Sequence, residues 1–360
     1  MREVELLAEA VAFATVTDGP NGGLVDWAEA LLRGAGFETR RIAGPEGRFG
    51  LLAKIGTGEG GVLLSAHSDV VPVGEGWSGD PFTLREREGR LYGRGACDMK
   101  GFLACALAAA ERRGKAGVRP LSLAISFDEE IGCRGIAEMI GDLIPFVGRP
   151  ELVLVGEPTG MRLCLGHKGK TAWRAVATGK AAHSAQAPYH RNALHGAAEL
   201  VLALKAAQAR LAEEGARDAA FDPPFSTVHA GVMRGGAALN IVPEAAEVLF
   251  EIRHLAKESP EAILAGVPLP DGVTLNQISR YPGLATDPGL PAVARLAGML
   301  DDPAPVTVSY GTEAGVFAEA GLTAVVCGPG HMRDAHRADE SIAVSEIARC
   351  AALLERLIEG

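Results

Sequence analysis

Short apolar runs alternate with helical stretches through the first half of the chain. The apolar runs predict strands at 62–66, 121–127 and 152–155. Apolar residues at helical spacing predict helices at about 100–112 and 131–140, between those strands. An order in which strands alternate with helices predicts βαβ units, and therefore an α/β fold with a mainly parallel mixed sheet flanked by helices.

Helical spacing also marks both ends of the chain. Helices are predicted near 4–11 and 25–32, and the second of these ends at Gly34 and Gly36. The last helix carries one apolar stripe, which consists of Ile347, Cys350, Ala351, Leu354 and Ile358. The first domain is therefore expected to begin and end with helices.

A different pattern occupies the middle of the chain. It predicts four strands and two helices in the order β-α-β-β-α-β, which is typical of a ferredoxin-like α+β unit. The strands lie near 171–178, 226–233, 246–254 and 273–278, and the helices near 194–211 and 261–264. The first pattern resumes after Tyr281-Pro282-Gly283. We therefore predict one domain formed by 1–169 and 282–360, with a small domain, 170–281, inserted into it.

The composition excludes several kinds of partner. The 360 residues are 48% hydrophobic, and their length predicts about two domains with real cores. The net charge is -10 and no run of Lys and Arg occurs, so neither nucleic acid nor an anionic membrane is expected as a partner. No apolar stretch of about 18 residues and no apolar signal segment is found, so neither membrane insertion nor export is expected. The six cysteines are scattered without Cys-x-x-Cys pairs, which predicts reduced thiols in a cytoplasmic protein.

Polar residues with metal-binding chemistry follow the predicted strands. His67-Ser68-Asp69 ends the first strand, Asp128-Glu129-Glu130 ends the second, and Glu157 follows the third. His336 comes shortly after an apolar run at 323–327, and Asp98 lies in a glycine-rich loop. Ligands of open α/β sheets collect outside the carboxyl ends of the strands, so these side chains are expected to meet there. Imidazole and carboxylate are the ligands that catalytic zinc sites use.

Each of these residues also has an ordinary explanation when it is taken alone. Asp98 suits a helix N-cap, Glu157 a turn before proline, and His336 a solvated loop. The acidic triplet is harder to explain this way, because neighbouring carboxylates repel unless a cation or a shared proton relieves them. One glutamate of the triplet can bind metal while the other moves protons. The alternation of an extended segment also lets Asp69 hydrogen-bond the imidazole of His67.

Other catalytic motifs do not fit their context. Residues 56–61 are rich in glycine, but they precede a strand, so a hairpin turn is predicted there and no phosphate loop. No Gly-x-Ser-x-Gly or His-Glu-x-x-His motif occurs. A nucleotide-dependent oxidoreductase would need a glycine loop between a strand and a helix, and the chain lacks one. A metal-binding or peptide-binding protein without catalysis remains the alternative from a different class.

These residues, in this order, resemble the dinuclear zinc amidohydrolases, a family that contains acetylornithine deacetylase, succinyl-diaminopimelate desuccinylase, aminoacylases and glutamate-type carboxypeptidases. The likeness runs almost end to end and is carried by 65–72, 91–101, 128–130, 155–159 and 335–336. It implies a site with two Zn²⁺ ions, for which Co²⁺ can substitute. It also implies that Asp98 bridges the ions, His67 and Glu157 bind one, Glu130 and His336 bind the other, Glu129 is the base and Asp69 orients His67.

The resemblance also extends to the inserted domain, which it implies to be a lid and dimerisation domain. There, 179–184 matches the segment whose histidine, His183 here, reaches the site of a neighbouring subunit and stabilises the oxyanion. Asn240 and Arg253 match substrate-binding positions, and Arg253 suits a bidentate hold on a carboxylate. The partner implied is a second copy of the chain.

Within the family, 166–169, 309–315 and 327–330 are most similar to the acetylornithine deacetylases. This similarity implies hydrolysis of a small N-acyl amino acid, N-acetylornithine, to ornithine and acetate in arginine biosynthesis, with Glu313 meeting the substrate's side-chain ammonium. Desuccinylation, or an aminoacylase or carboxypeptidase activity, is the alternative within the family. His190 and His331 depart from the family pattern, and an imidazole at 331 can alter the substrate pocket or add a metal ligand.

Overall fold

The structure is a computed structural model that describes residues 1–56, 60–113 and 119–359. The helices are α1 Arg2–Ala12, α2 Gly22–Gly34, α3 Lys100–Arg113, α4 Arg134–Val147, α5 Ala193–Glu214, α6 Pro260–Ala265, α7 Pro291–Ala297, α8 Ala314–Glu319 and α9 Val344–Glu359. The first eight strands are β1 Glu38–Ala43, β2 Phe49–Ile55, β3 Val62–His67, β4 Arg85–Arg87, β5 Arg90–Tyr92, β6 Leu121–Ser126, β7 Leu152–Pro158 and β8 Cys164–His167. The others are β9 Gly169–Thr178, β10 Thr227–Gly235, β11 Ala245–His254, β12 Val273–Tyr281, β13 Leu284–Ala285, β14 Val306–Val308, β15 Ala324–Gly328 and β16 Ser341–Ala343.

The chain divides into two units. The first consists of 1–166, 286–307 and 312–360, and the second of 167–285 and 308–311. The second unit therefore begins three residues earlier than the predicted inserted domain and extends four residues beyond it. It also includes 308–311, which were predicted to belong to the first domain. The predicted hairpin turn at 56–61 falls partly on residues 57–59, which lie outside the described residues.

The first unit is built around a mixed sheet with the order β1-β2-β6-β3-β7-β15-β8. Strand β3 runs parallel to both β6 and β7, and β15 runs parallel to β7. Strands β2 and β8 add antiparallel edges to this parallel centre. Every residue of β3, β6 and β7 is buried, as expected for parallel strands that are covered on both faces. The predicted α/β class is confirmed.

Helix α3 is buried along nearly its whole length, from Lys100 to Ala110. It packs against α1 and α9, and its many alanines allow neighbouring backbones to approach closely. Phe102 of this helix lies against Gly156 of β7, where a Cβ atom would come within 1.9 Å of the ring. Glycine is therefore required at position 156, directly before Glu157.

The second unit contains a four-stranded antiparallel sheet with the order β10-β11-β9-β12. Together with α5 and α6 it has the β-α-β-β-α-β connectivity that the sequence predicts. Its core lies between the sheet and α5, and includes Leu200, Leu204, Val248 and Ile252.

Helix α4 begins at Arg134, three residues later than predicted, because 128–133 form a tight turn. Strands β1 and β2 form an antiparallel hairpin that was not predicted from the sequence. No helix within the described ranges is long and apolar enough to cross a membrane.

Candidate metal centre

Two triads of side chains meet at the carboxyl ends of the central strands, and Asp98 belongs to both. The first triad is His67, Asp98 and Glu157, and the second is Asp98, Glu130 and His336; the ligand atoms of each triad lie within 4.8 Å of one another. In the described ranges these are the two groups of His, Cys, Asp or Glu side chains with that spacing. The structure thus brings together all five residues that the sequence predicts as metal ligands.

The two carboxylate oxygens of Asp98 face different imidazoles. Oδ1 lies 3.1 Å from Nε2 of His67, and Oδ2 lies 3.0 Å from Nε2 of His336. Glu157 Oε1 is 3.5 Å from the same nitrogen of His67, and Glu130 Oε2 is 3.1 Å from that of His336. His67 is fully buried, whereas the side chain of His336 is 40% exposed, so the second triad faces solvent.

Asp69 does not hold His67 in the way the sequence suggested. Nδ1 of His67 lies 2.9 Å from the backbone carbonyl oxygen of Asp69 and 3.6 Å from its carboxylate. The carboxylate is turned instead toward the acidic turn, where it accepts hydrogen bonds from the backbone N–H groups of Glu129 and Glu130 at 3.1 and 3.3 Å. The carbonyl fixes the tautomer of His67, which leaves Nε2 free to act as a ligand, and the carboxylate holds the turn.

Asp128, the first residue of the acidic turn, is anchored by an arginine that the sequence analysis missed. Buried Arg48 lies 3.1 Å from the carboxylate of Asp128 and 2.9 Å from that of Asp18. Asp128 has a left-handed backbone, with φ of 53°. The ion pair therefore fixes a turn that directs the next two glutamates into the site. A lone arginine in the segment before β2 gives no local signal of this pairing.

Glu129 lies beside the triads without belonging to either of them. Its Oε1 accepts a hydrogen bond from the thiol of buried Cys133 at 3.3 Å. The position of Glu129 suits a carboxylate that moves protons next to a metal site.

The charges of the site favour a bound cation. Burial raises the pKa of Glu129 well above its ordinary range, and the neighbouring Glu157 adds to this. Burial and then repulsion from Asp98 raise the pKa of Glu130 to about 7 and that of Glu157 to about 8. Hydrogen bonds to Asp98 and Glu130 raise the pKa of His336 to about 10. The carboxyl groups outnumber the imidazoles, and a set of nitrogen and oxygen donors without sulfur fits zinc and similar ions.

Glu313 lies at the N-terminus of α8 and is 1% exposed. Its carboxylate accepts hydrogen bonds from the hydroxyl groups of Ser65, at 3.0 Å, and Ser126. These serines precede His67 and Asp128 by two residues each, on β3 and β6. The carboxylate thus joins the two strands that carry these site residues.

The second unit holds the other predicted site residues. His183 is exposed, and its Nδ1 accepts the backbone N–H of Ala185 at 3.1 Å. Exposed Asn240 lies beside it, since its carbonyl accepts the N–H of Ser184 at 3.0 Å. Arg253 donates from Nε to Glu251 at 2.9 Å and from Nη1 to the hydroxyl of Tyr281 at 2.7 Å.

The two unusual histidines belong to different units, His190 to the second and His331 to the first. His331 Nε2 is 3.4 Å from the carboxylate of Glu346, and within the described residues it is not a member of either group with metal-ligand spacing. His190 follows the short 3₁₀ helix after His183, and its backbone N–H donates to Ala187.

Residues 63–360 match the peptidase family M20/M25/M40. The chain is 35% identical to an acetylornithine deacetylase from Myxococcus xanthus, over 98% of this chain and 95% of that protein. It is 32% identical to an acetylornithine deacetylase from Proteus mirabilis, over 99% of this chain and 96% of that protein.

Solved structures with the same fold have lower sequence identity. A metallo-carboxypeptidase of the M20 family from Sulfolobus solfataricus superposes with a TM-score of 0.79 at 18% identity, covering 100% of this chain and 99% of that one. A dinuclear metal-binding peptidase of the M20 family from Bacillus subtilis superposes with a TM-score of 0.67 at 14% identity, covering 99% and 96%. These structures support the fold assignment alone.

Proposed function

This chain belongs to the peptidase family M20/M25/M40, and we propose that it is a zinc-dependent deacetylase that hydrolyses N-acetylornithine to ornithine and acetate. The similarity to two acetylornithine deacetylases along nearly their whole length supports this proposal. The observation that carries the proposal is the pair of triads that share Asp98. A carboxylate with one oxygen toward each triad is what a two-metal hydrolase needs between its ions.

In this proposal His67 and Glu157 would hold one Zn²⁺, Glu130 and His336 would hold the other, and Asp98 would contribute to both positions. Co²⁺ shares the preference for nitrogen and oxygen donors and can replace Zn²⁺. When bound, Zn²⁺ would supply Lewis-acid chemistry, which makes an acyl carbonyl more electrophilic and lowers the pKa of water. Glu129 takes the proton of the attacking water and then delivers it to the leaving amine.

His183 is proposed to stabilise the oxyanion. Because Nδ1 accepts a hydrogen bond from Ala185, the neutral ring carries its proton on Nε2, which is then a donor for a developing negative charge. Asn240, next to it, is proposed to contact the scissile group. Arg253 is proposed to bind the substrate's carboxylate, with its guanidinium oriented by Glu251 and Tyr281.

We propose that the protein is a homodimer, assembled through the second unit so that His183 serves the partner's site. Exposed apolar side chains on this unit support the proposal, among them Tyr189, Leu202 and Leu239, which are 86%, 64% and 101% exposed. Sedimentation velocity should give about 75 kDa, twice the chain mass of 37.4 kDa. A particle of the single-chain mass at micromolar concentration would contradict the dimer. We also propose that the protein is cytoplasmic, because its six cysteines are free and buried, as is usual for proteins of a reducing compartment.

The substrate is tested with a panel of N-acyl compounds assayed in added Zn²⁺ or Co²⁺. We expect N-acetylornithine to have a kcat/KM about 10- to 100-fold above that of N-acetylnorvaline, which lacks the side-chain ammonium, because a hydrogen bond to a charged group is worth about 1.5–3 kcal/mol. N-succinyl-diaminopimelate and dipeptides complete the panel. If either of these substrates had a higher kcat/KM than N-acetylornithine, the proposed activity would be desuccinylation or dipeptide cleavage, respectively.

The same panel on Glu313→Gln tests whether Glu313 meets the ammonium. If Glu313 contacts the ammonium, the variant should lose the preference for N-acetylornithine over N-acetylnorvaline. Since both carboxylate oxygens accept serine hydroxyl groups, Glu313 can instead act only by joining β3 to β6. The variant would then lower kcat/KM for all substrates equally, and the ammonium contact would be ruled out.

A further inference from the structure

Glu340 is a fully buried carboxylate directly behind the loop that carries Asp98. Its Oε1 accepts hydrogen bonds from the backbone N–H groups of Cys97 and Asp98, both at 3.0 Å. Its Oε2 accepts from Nη1 of Arg94 at 2.6 Å. No local pattern in the sequence marks Glu340, because these contacts span about 240 residues of chain.

Arg94 extends this contact to a third loop. Its side chain is 2% exposed. The guanidinium carbon lies over the ring of Trp77, 5.1 Å from the ring centroid. Nη2 donates to the backbone carbonyls of Pro72 and Val73, at 3.2 and 2.9 Å, in the segment that follows β3. Glu340 itself lies four residues after His336. The Arg94–Glu340 pair therefore connects the segments after His67, before Asp98 and after His336.

The two loops that supply acidic side chains to the triads are held in the same way. Asp69 accepts two consecutive backbone N–H groups from the turn that carries Glu130. Glu340 accepts two consecutive backbone N–H groups from the loop that carries Asp98. Each carboxylate fixes the backbone from which a ligand side chain projects.

We infer that Glu340 is a positioning residue for the shared carboxylate of Asp98, and that it sets the affinity of both metal positions. The inference rests on the proposed metal centre. A group that holds a ligand in place without touching the metal commonly changes metal affinity by about 10- to 100-fold when it is replaced.

The chemistry of the pocket requires a carboxylate at this position. One edge of Glu340 faces two backbone donors, and the other faces the guanidinium of Arg94. A glutamine has one acceptor and one donor, so its amide nitrogen must face a donor in either orientation. An aspartate keeps the charge, but it is one methylene too short to reach both edges.

The experiment compares metal binding by the full-length wild type, Glu340→Gln and Glu340→Asp. Zn²⁺ affinity is measured by competition with a chelator, and the visible absorption spectrum of the Co²⁺-loaded protein reports ligand geometry. The matched control is Glu29→Gln, which removes another buried carboxylate of the first unit that pairs with arginine, Arg41, far along the chain from the ligands. Circular dichroism and thermal melting of the metal-free proteins establish that each variant is folded.

We expect both Glu340 variants to bind Zn²⁺ about 10- to 100-fold more weakly than wild type and to show an altered Co²⁺ spectrum, with Asp less affected than Gln. The Glu29 variant should keep the affinity and spectrum of the wild type, whatever stability it loses. Wild-type affinity and spectrum in a folded Glu340→Gln or Glu340→Asp would overturn the inference. If the wild type itself bound no metal, the proposed metal centre would fail first, so the two failures are distinguishable.

Discussion

We expect Glu129→Gln to lower kcat by about 10² to 10⁴, the contribution that general acid and base catalysis usually makes. Glutamine preserves the shape of the side chain and can still accept the thiol hydrogen bond of Cys133, but it cannot take a proton. Because Glu129 lies outside both triads, the variant should bind metal normally. KM should change little, since the carboxylate is needed mainly in the transition state.

The matched control for this variant is Glu130→Gln, which changes the adjacent residue in the same turn. Glu130 belongs to the second triad, so its replacement should reduce metal content as well as turnover. Metal content by mass spectrometry and steady-state kinetics distinguish the two variants. A Glu129→Gln protein with near-normal kcat would refute the assignment of the base.

Asp98→Ala should have a different effect, because it removes an oxygen from both triads at once. We expect the purified, dialysed variant to retain almost no Zn²⁺. Activity should fall by on the order of 10³-fold or more, since bound metal supplies several kcal/mol of transition-state stabilisation. Excess Zn²⁺ should restore little, because each triad is left with two ligands and no shared anion offsets the repulsion between two neighbouring cations.

His336→Ala tests the difference between a residue that belongs to one triad and Asp98, which belongs to both. His336 contacts Asp98 and Glu130 and is absent from the first triad, so this variant should lose about one equivalent of metal and keep the other. Equal metal content in the Asp98 and His336 variants would contradict the bridging role of Asp98. The comparison needs only metal analysis, and it is independent of the substrate.

The place where the candidate ligands meet was predictable from the sequence, because three of them come at or just after the ends of strands in a parallel sheet. The runs that end at His67, at Asp128 and near Glu157 are entirely buried strands in the structure. Parallel strands end at the same edge of a sheet, so polar residues after them meet regardless of their separation along the chain. The same regularity of strand and helix made the order of elements in the second unit predictable.

The contacts that hold the ligands in place were not predictable in this way. Arg48 pairs with Asp128, and Glu340 with the loop of Asp98, across 80 and more than 240 residues. Such pairs depend on how irregular loops pack, and a single sequence contains no periodic signal of that packing. Asp69 illustrates the limit, because its carboxylate was predicted to hold the neighbouring imidazole and instead holds a turn 60 residues away.

The inserted unit also determines the order in which the first unit is completed during translation. Strand β7 pairs with β15 along one edge, but residues 167–285 are synthesised between them. Until β15 has been synthesised, one edge of β7 is unpaired, although every residue of this strand is buried in the folded unit. Unpaired apolar edges promote wrong pairing with other chains. The nascent chain therefore has to protect this edge while its second unit is being synthesised.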